Sequence, residues 1–195
     1  MTRRTDSIPA DYFAGIYASD NDPWGFTTSA YERDKYAATL AALPRPRYRS
    51  AFEPACSIGV LTRALAERCD SLLASDLVGT ALDATRARCA AYPWVTVRQG
   101  AMPAQWPEGR FDLIVLSEFL YFLDRDDLAA LVAKVGEAIE PGGDIVLVHW
   151  LGPTDYPLSG DEAAEGFMTG AAGFAAVIGA ERRPEYRIDV LRAGA

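Results

Sequence analysis

Three acids stand at the ends of short apolar runs: Glu53 closes SAFE, Asp76 closes LLASD and Glu118 follows FDLIVLS. A carboxylate at the tip of a buried strand holds cations or accepts hydrogen bonds from hydroxyls. Asp76, one strand and one helix beyond Glu53, has the spacing of an acid that accepts both hydroxyls of a ribose, and capping the next helix is the plainer role open to it. Between Glu53 and the next helical stretch only Gly59 appears, with Ala55, Cys56 and Ser57 before it. A pyrophosphate needs a turn with two or three glycines so that bare backbone can approach it, and Glu53 would repel that anion. A sulfonium or ammonium group at the same place is attracted instead. His149, the chain's single histidine, ends the run IVLVH. With an ordinary pKa near ~6.5 it is the side chain best suited by type to act as a base, and orienting a neighbouring loop is its alternative role.

Composition narrows the partners. The chain has 195 residues, half of them hydrophobic, and a formal net charge of −8. That length suits one domain with a sizeable core. The negative field opposes nucleic acid and anionic lipid, and no Lys/Arg cluster offsets it. The start MTRRTDSIPADYF carries no apolar core of a leader, and no apolar run approaches the about 18 residues of a membrane span. A cytoplasmic protein is expected. Cys56, Cys69 and Cys89 lack C-x-x-C spacing and read as reduced residues in a turn and two helices. With one histidine, no transition-metal site is expected.

Short apolar runs alternate with segments of helical period after residue 50, the mark of a parallel sheet with crossover helices. Strands are expected at 50–53, 72–76, 94–98, 111–116 and 145–149, with a less buried antiparallel strand at 186–191. Helices are expected at 31–43, 60–68, 81–91 and 124–140, the last capped by Asp124 and stopped by Pro141-Gly142-Gly143. The stretch 17–26 is rich in Asp, Asn, Pro and Gly and reads as irregular, 150–167 reads as a loop-rich insertion, and the Gly/Ala run to residue 180 gives no pattern.

The strand-to-helix turn E53-P-A-C-S-I-G59 resembles the E/D-x-G-x-G-x-G motif of class I methyltransferases that use S-adenosylmethionine, with Ala55 and Ser57 in place of two glycines. Asp76, QGAM at 99–102, FDLIVLSEFLYFL and EPGGDIVLVHW extend that likeness across about residues 50–150. The stretches DPWGFTTSAYERDKY (22–36) and HWLGPTDYPLSGDE (149–162) resemble, more specifically, the NodS-like subfamily of nodulation N-methyltransferases, which methylate a deacetylated amino sugar. Ala164 stands where the resemblance implies a histidine.

The resemblance implies a Rossmann-like α/β sandwich: a mostly parallel seven-stranded sheet, helices on both faces and an antiparallel C-terminal strand. It implies S-adenosyl-L-methionine as donor and S-adenosyl-L-homocysteine as product. The residues expected at the donor are Tyr31, Glu53, Ala55, Cys56, Gly59, Asp76, Leu77, Gly100, Ala101, Met102 and Ser117. His149 and Glu118 are the candidates for catalysis. Trp24, Tyr121, His149, Asp155 and Tyr156 are the candidates for a small-molecule acceptor, with Asp155, Asp161 and Glu162 as an acidic rim that attracts an amine. An amine nitrogen leads, a hydroxyl follows, and a monomer or homodimer is expected. An NAD-dependent oxidoreductase and a binding protein without catalysis are the rivals; the first lacks both the glycines and a Tyr-x-x-x-Lys pair.

Overall fold

The computed structural model describes residues 3–195. The elements run α1 (Ala10–Ser19), α2 (Ala30–Ala42), β1 (Ala51–Pro54), α3 (Val60–Ala66), β2 (Leu72–Asp76), α4 (Gly79–Arg88), β3 (Val95–Gln99) and β4 (Phe111–Ser117). A 3₁₀ turn (Leu120–Phe122), α5 (Arg125–Ala138), β5 (Ile139–Trp150), α6 (Gly160–Ala171), β6 (Ala175–Arg182) and β7 (Tyr186–Ala193) complete the chain. The seven strands form one sheet in the order β3-β2-β1-β4-β5-β7-β6. β1 to β5 pair in parallel, and β7 lies antiparallel between β5 and β6.

The period-2 alternation of strands decides where the core sits. In β4, Ile114 and Leu116 point into one apolar cluster with Leu131, Val135 and Phe167 of α5 and α6. Leu113 and Val115 point the other way, onto Leu61 and Leu65 of α3. All four β4 side chains are fully buried, so truncating any of them to alanine would cost about 2–5 kcal/mol. Buried on both faces, β4 reads in sequence as a continuous apolar run rather than an alternating one.

Several boundaries differ from those the sequence suggests. α1 extends to Ser19, so the first three residues of the stretch expected to be irregular are helical. Asp22 then organises the turn, accepting from the backbone of Phe26 at 2.7 Å and of Thr27 at 2.9 Å. α5 is capped by Asp124 as expected but ends at Ala138, and Pro141-Gly142-Gly143 lies inside β5 beside a break in the β4–β5 register. The segment expected to be loop contains α6, opened by a capping box in which Ser159 and Glu162 satisfy each other's backbone N–H groups. The Gly/Ala run forms the end of α6 and the edge strand β6. β7 is antiparallel as expected yet well buried, because β6 covers its outer side. Cys69 sits in an isolated bridge with Tyr48 rather than in a helix, and all three cysteines are free. No helix among the described residues is long and apolar enough to cross a membrane.

Strand order reverses between β1 and β4. Connections leave their carboxyl ends toward opposite edges of the sheet and open a crevice there, the place where open α/β sheets hold ligands.

Candidate functional site

β1 delivers Glu53 to that crevice, and the following turn supplies its floor. Ala55, Ser57 and Gly59 all adopt left-handed backbone, with φ of 57°, 53° and 76°. These are the three positions of the glycine motif, so the loop keeps a glycine-like path with non-glycine residues at two of them. A side chain in this region costs about 1–2 kcal/mol. Local bonds hold the path in place. Ser57 N donates to Asp76 Oδ2 at 2.9 Å, Thr85 Oγ1 donates to Ser57 O at 2.7 Å, and the hydroxyls of Ser57 and Tyr17 of α1 share a hydrogen bond. Gly59 serves packing: a Cβ there would lie 2.7 Å from the Thr85 side chain.

The crevice opens into a cavity of about 470 Å³. Glu53, Ala55, Cys56, Asp76 and Leu77 line it from the first two strand ends, and Gly100 and Met102 from the loop after β3. Ser117, Glu118 and Tyr121 line it from the end of β4. Trp24, Tyr31 and Tyr156 enter from the N-terminal segments and the β5–α6 loop. Thirteen of the residues singled out in sequence thus line one cavity, but four do not reach it. Gly59 faces Thr85, and Ala101 is outside the lining. Asp155 pairs outward with Arg4 at 3.4 Å.

His149 is the fourth. It is fully buried, lies outside the cavity lining, and neither ring nitrogen has a partner. Burial drives its pKa down to about 4 despite the opposing pull of Glu118 and Asp189. The ring is therefore neutral at pH 7 and packs edge-on against Tyr121, with centroids 5.6 Å apart. The acidic rim is likewise absent as a field. Asp161 binds Arg182 and Arg187 at 2.6 and 2.8 Å, and Glu162 binds Arg3 and caps α6. Ala164 is buried in the core under α6, away from the cavity.

Two charged lining residues, Lys35 and Glu32, escaped sequence reasoning. Lys35 of α2 is 2% exposed and sits between Glu32 Oε1 at 3.0 Å and Glu118 Oε1 at 2.7 Å, with its ammonium 4.9 Å from the Tyr31 ring centroid. Glu118 Oε2 accepts from Tyr121 Oη at 2.6 Å and from Trp150 N at 3.0 Å. Burial pushes the Glu118 carboxyl up, but Lys35 and the Tyr121 hydroxyl outweigh it and hold the group below its ordinary value. Glu32 Oε2 and Glu53 Oε2 are buried without any partner. Burial raises both acids, Glu53 to about 8. Asp76 is also raised by burial, against three backbone N–H groups that favour its ionised form.

The cavity lining thus carries four carboxylates, Glu32, Glu53, Asp76 and Glu118, against the single ammonium of Lys35. Glu32 and Glu53, both raised by burial, line one mostly apolar cavity, where a cationic ligand would stabilise their ionised forms. Asp76 retains a second lone pair on each oxygen for hydroxyl donors. Lys35 retains a third N–H for an anion. A ligand bearing an ammonium, a carboxylate and a ribose fits this set of donors and acceptors.

The sequence pattern of the family described as Nodulation protein S (NodS) matches residues 17–148. Nodulation protein S of Rhizobium tropici is 35% identical over 133 residues, 65% of this chain and 54% of that protein. The same protein of Bradyrhizobium diazoefficiens is 32% identical over 133 residues, 65% of this chain and 61% of that protein. The chain spans little more than half the length of these curated relatives. The crystal structure of the N-methyltransferase NodS from Bradyrhizobium japonicum WM9 with S-adenosylhomocysteine superposes with a TM-score of 0.84 at 19% identity, covering 95% of this chain and 99% of that one. That likeness is one of fold. A Pseudomonas syringae structure, provisionally described as a methyltransferase, is 38% identical with a TM-score of 0.73, covering 84% of this chain and 99% of that one. Matched over more than half its residues, the chain belongs to the Nodulation protein S (NodS) family.

Proposed function

We propose that the chain transfers a methyl group from S-adenosylmethionine to the nitrogen of a small acceptor, an amino sugar or a similar amine, and releases S-adenosylhomocysteine. The observation that carries this reading is the meeting of Glu53, Asp76 and the Glu32–Lys35–Glu118 cluster on one cavity at the switch point of the sheet. In this reading Asp76 accepts from the ribose hydroxyls, and Leu77, Gly100 and Met102 flank the base. Glu53 receives the donor's ammonium, Lys35 receives its carboxylate, and Tyr31 and Trp24 cover the sulfonium through their ring faces.

The donor supplies an electrophilic methyl whose S–C bond breaks as the acceptor's N–C bond forms. The protein's part is chiefly positioning: it holds nitrogen near ~3 Å from that carbon, in line and away from water. The nitrogen must attack as a neutral amine. Apolar surroundings disfavour the ammonium form and so favour the neutral one. Tyr121 Oη, its own proton committed to Glu118 at 2.6 Å, presents a lone pair to the acceptor N–H. Lys35 keeps Glu118 ionised and hence keeps that hydroxyl oriented. A hydroxyl acceptor needs a stronger base, and His149 is sealed from the cavity. That favours nitrogen over oxygen.

Donor carrying a labelled methyl, incubated with the protein and a panel of amines and phenols, checks this directly. Label in an amine is the expected result. Label in phenols alone, or in neither class, contradicts it.

A further inference from the structure

We infer that, of the two acceptor types in the proposed reading, the acceptor is the compact amine with an apolar or aromatic body and not the amino sugar. The inference rests on the methyl-transfer reading above and narrows its substrate class. Opposite the carboxylate-rich crevice, the cavity is closed by the N-terminal residues, the turn after β4 and the β5–α6 loop. Ile8, Phe13, Phe119, Phe122 and Leu123 line that wall. Phe13 packs edge-on against Phe122 at 4.8 Å between centroids, and Phe122 against Tyr156 at 4.6 Å.

Polar groups on this wall are scarce and mostly committed. The hydroxyl of Tyr121 is bound to Glu118 and that of Tyr17 to Ser57, which leaves the hydroxyls of Thr154 and Tyr156. The acids that would have greeted a polar substrate point outward into ion pairs, Asp155 with Arg4 and Asp161 with Arg182 and Arg187. An aromatic ring can stack on one face of a pyranose, but the hydroxyls on its rim still need partners. Each hydroxyl buried without one weakens binding by roughly five- to a hundredfold, and an amino sugar brings several. An aryl or alkyl body has no such requirement and gains from burial.

Size points the same way. The whole cavity of about 470 Å³ is on the scale of one drug-sized ligand, so a bound donor leaves room for a single small group. A strap closes the far side: Ile8 N donates to Phe122 O at 2.8 Å and Asp124 N donates to Ser7 Oγ at 2.9 Å. In the transfer itself the amine lone pair forms the N–C bond, the sulfonium leaves as a neutral thioether, and the surplus proton on nitrogen passes to solvent.

The test compares initial rates with 2-phenylethylamine, D-glucosamine and a chitosan-derived disaccharide under saturating S-adenosylmethionine, alongside calorimetric titration with S-adenosylhomocysteine. The inference expects kcat/KM for 2-phenylethylamine to exceed that for either sugar by at least tenfold. It also expects Phe122→Ala to raise KM for that amine about tenfold while leaving the dissociation constant of S-adenosylhomocysteine unchanged, which shows the variant folded. Glucosamine or the disaccharide as the better substrate overturns the inference and leaves the donor reading standing. So does product binding with no transfer to any of the three. Absence of product binding overturns the donor reading and the inference with it.

Discussion

Glu53 is an acid buried to 3% exposure with one oxygen unpaired, and burial lifts its pKa from 4.5 to about 8. At pH 7 it is mostly protonated in the ligand-free protein. A ligand ammonium favours the ionised form, so binding must release a proton, and affinity for S-adenosylhomocysteine should tighten as pH rises toward about 8, by at most tenfold per unit. Calorimetry in buffers of different ionisation enthalpy measures that proton, and Glu53→Gln should abolish it. The sign for stability is opposite. The folded carboxyl holds its proton up to about 8 and the unfolded one only to 4.5, so the ligand-free protein loses stability across that window as pH rises. Lys35 has its own test. Lys35→Met should weaken S-adenosylhomocysteine at least tenfold and leave 5′-methylthioadenosine, which lacks the amino-acid end, unchanged; an equal loss for both would make Lys35 a structural residue. Glu53 and Asp76 are legible in sequence because each closes an apolar run. Lys35 and Glu32 are not, because YERDKY reads as a solvated helix face, and only docking of α2 at the end of β4 buries them. His149 shows the converse. Its place near a strand end is legible, but α6 packs over it so closely that a Cβ on Gly160 would lie 3.3 Å from the His149 Cβ.

The turn after β1 is where element-scale strain and sequence disagree most. Ala55 at φ 57° occupies backbone that a glycine adopts without steric cost. Relief of about 1–2 kcal/mol on Ala55→Gly is partly offset by the greater freedom of glycine in the unfolded chain, about 0.5–1 kcal/mol. The net gain should be roughly 0.5–1 kcal/mol, or about 1–4 °C in Tm by scanning calorimetry; a fall in Tm would mean that the Ala55 methyl packs in a way that outweighs its strain. α6 teaches a different lesson about legibility. Its cap, Ser159 with Glu162 three residues on, stands plainly in the sequence, yet the neighbouring prolines and glycines mask it. Its apolar side, Ala163, Ala164, Phe167 and Ala171, is built mostly of alanine, too small to give a strong periodic signal. β6 was hidden for a related reason: an edge strand with exposed Val177 and Ile178 and a register shift at Gly179 keeps no clean alternation.

At the scale of the whole molecule, strand order does what no single motif can. It brings the ends of β1, β2 and β4, which are far apart in sequence, around one crevice and lets α1, α2 and the β5–α6 loop roof it. Parallel order and helix placement follow from the alternation of apolar runs with helical periods, so the central sheet was readable from residues 50 to 149. The roof was not, since its contacts join Arg3 to Glu162 and Ser7 to Asp124, 159 and 117 residues apart. The central claim is that this crevice holds an adenosyl amino acid through Asp76 and the acids beside it. Calorimetric titration with S-adenosylhomocysteine tests it most directly. The account predicts one saturable site in the parent protein and at least tenfold weaker binding in Asp76→Ala; no binding at all, or equal affinity in the two proteins, would contradict it.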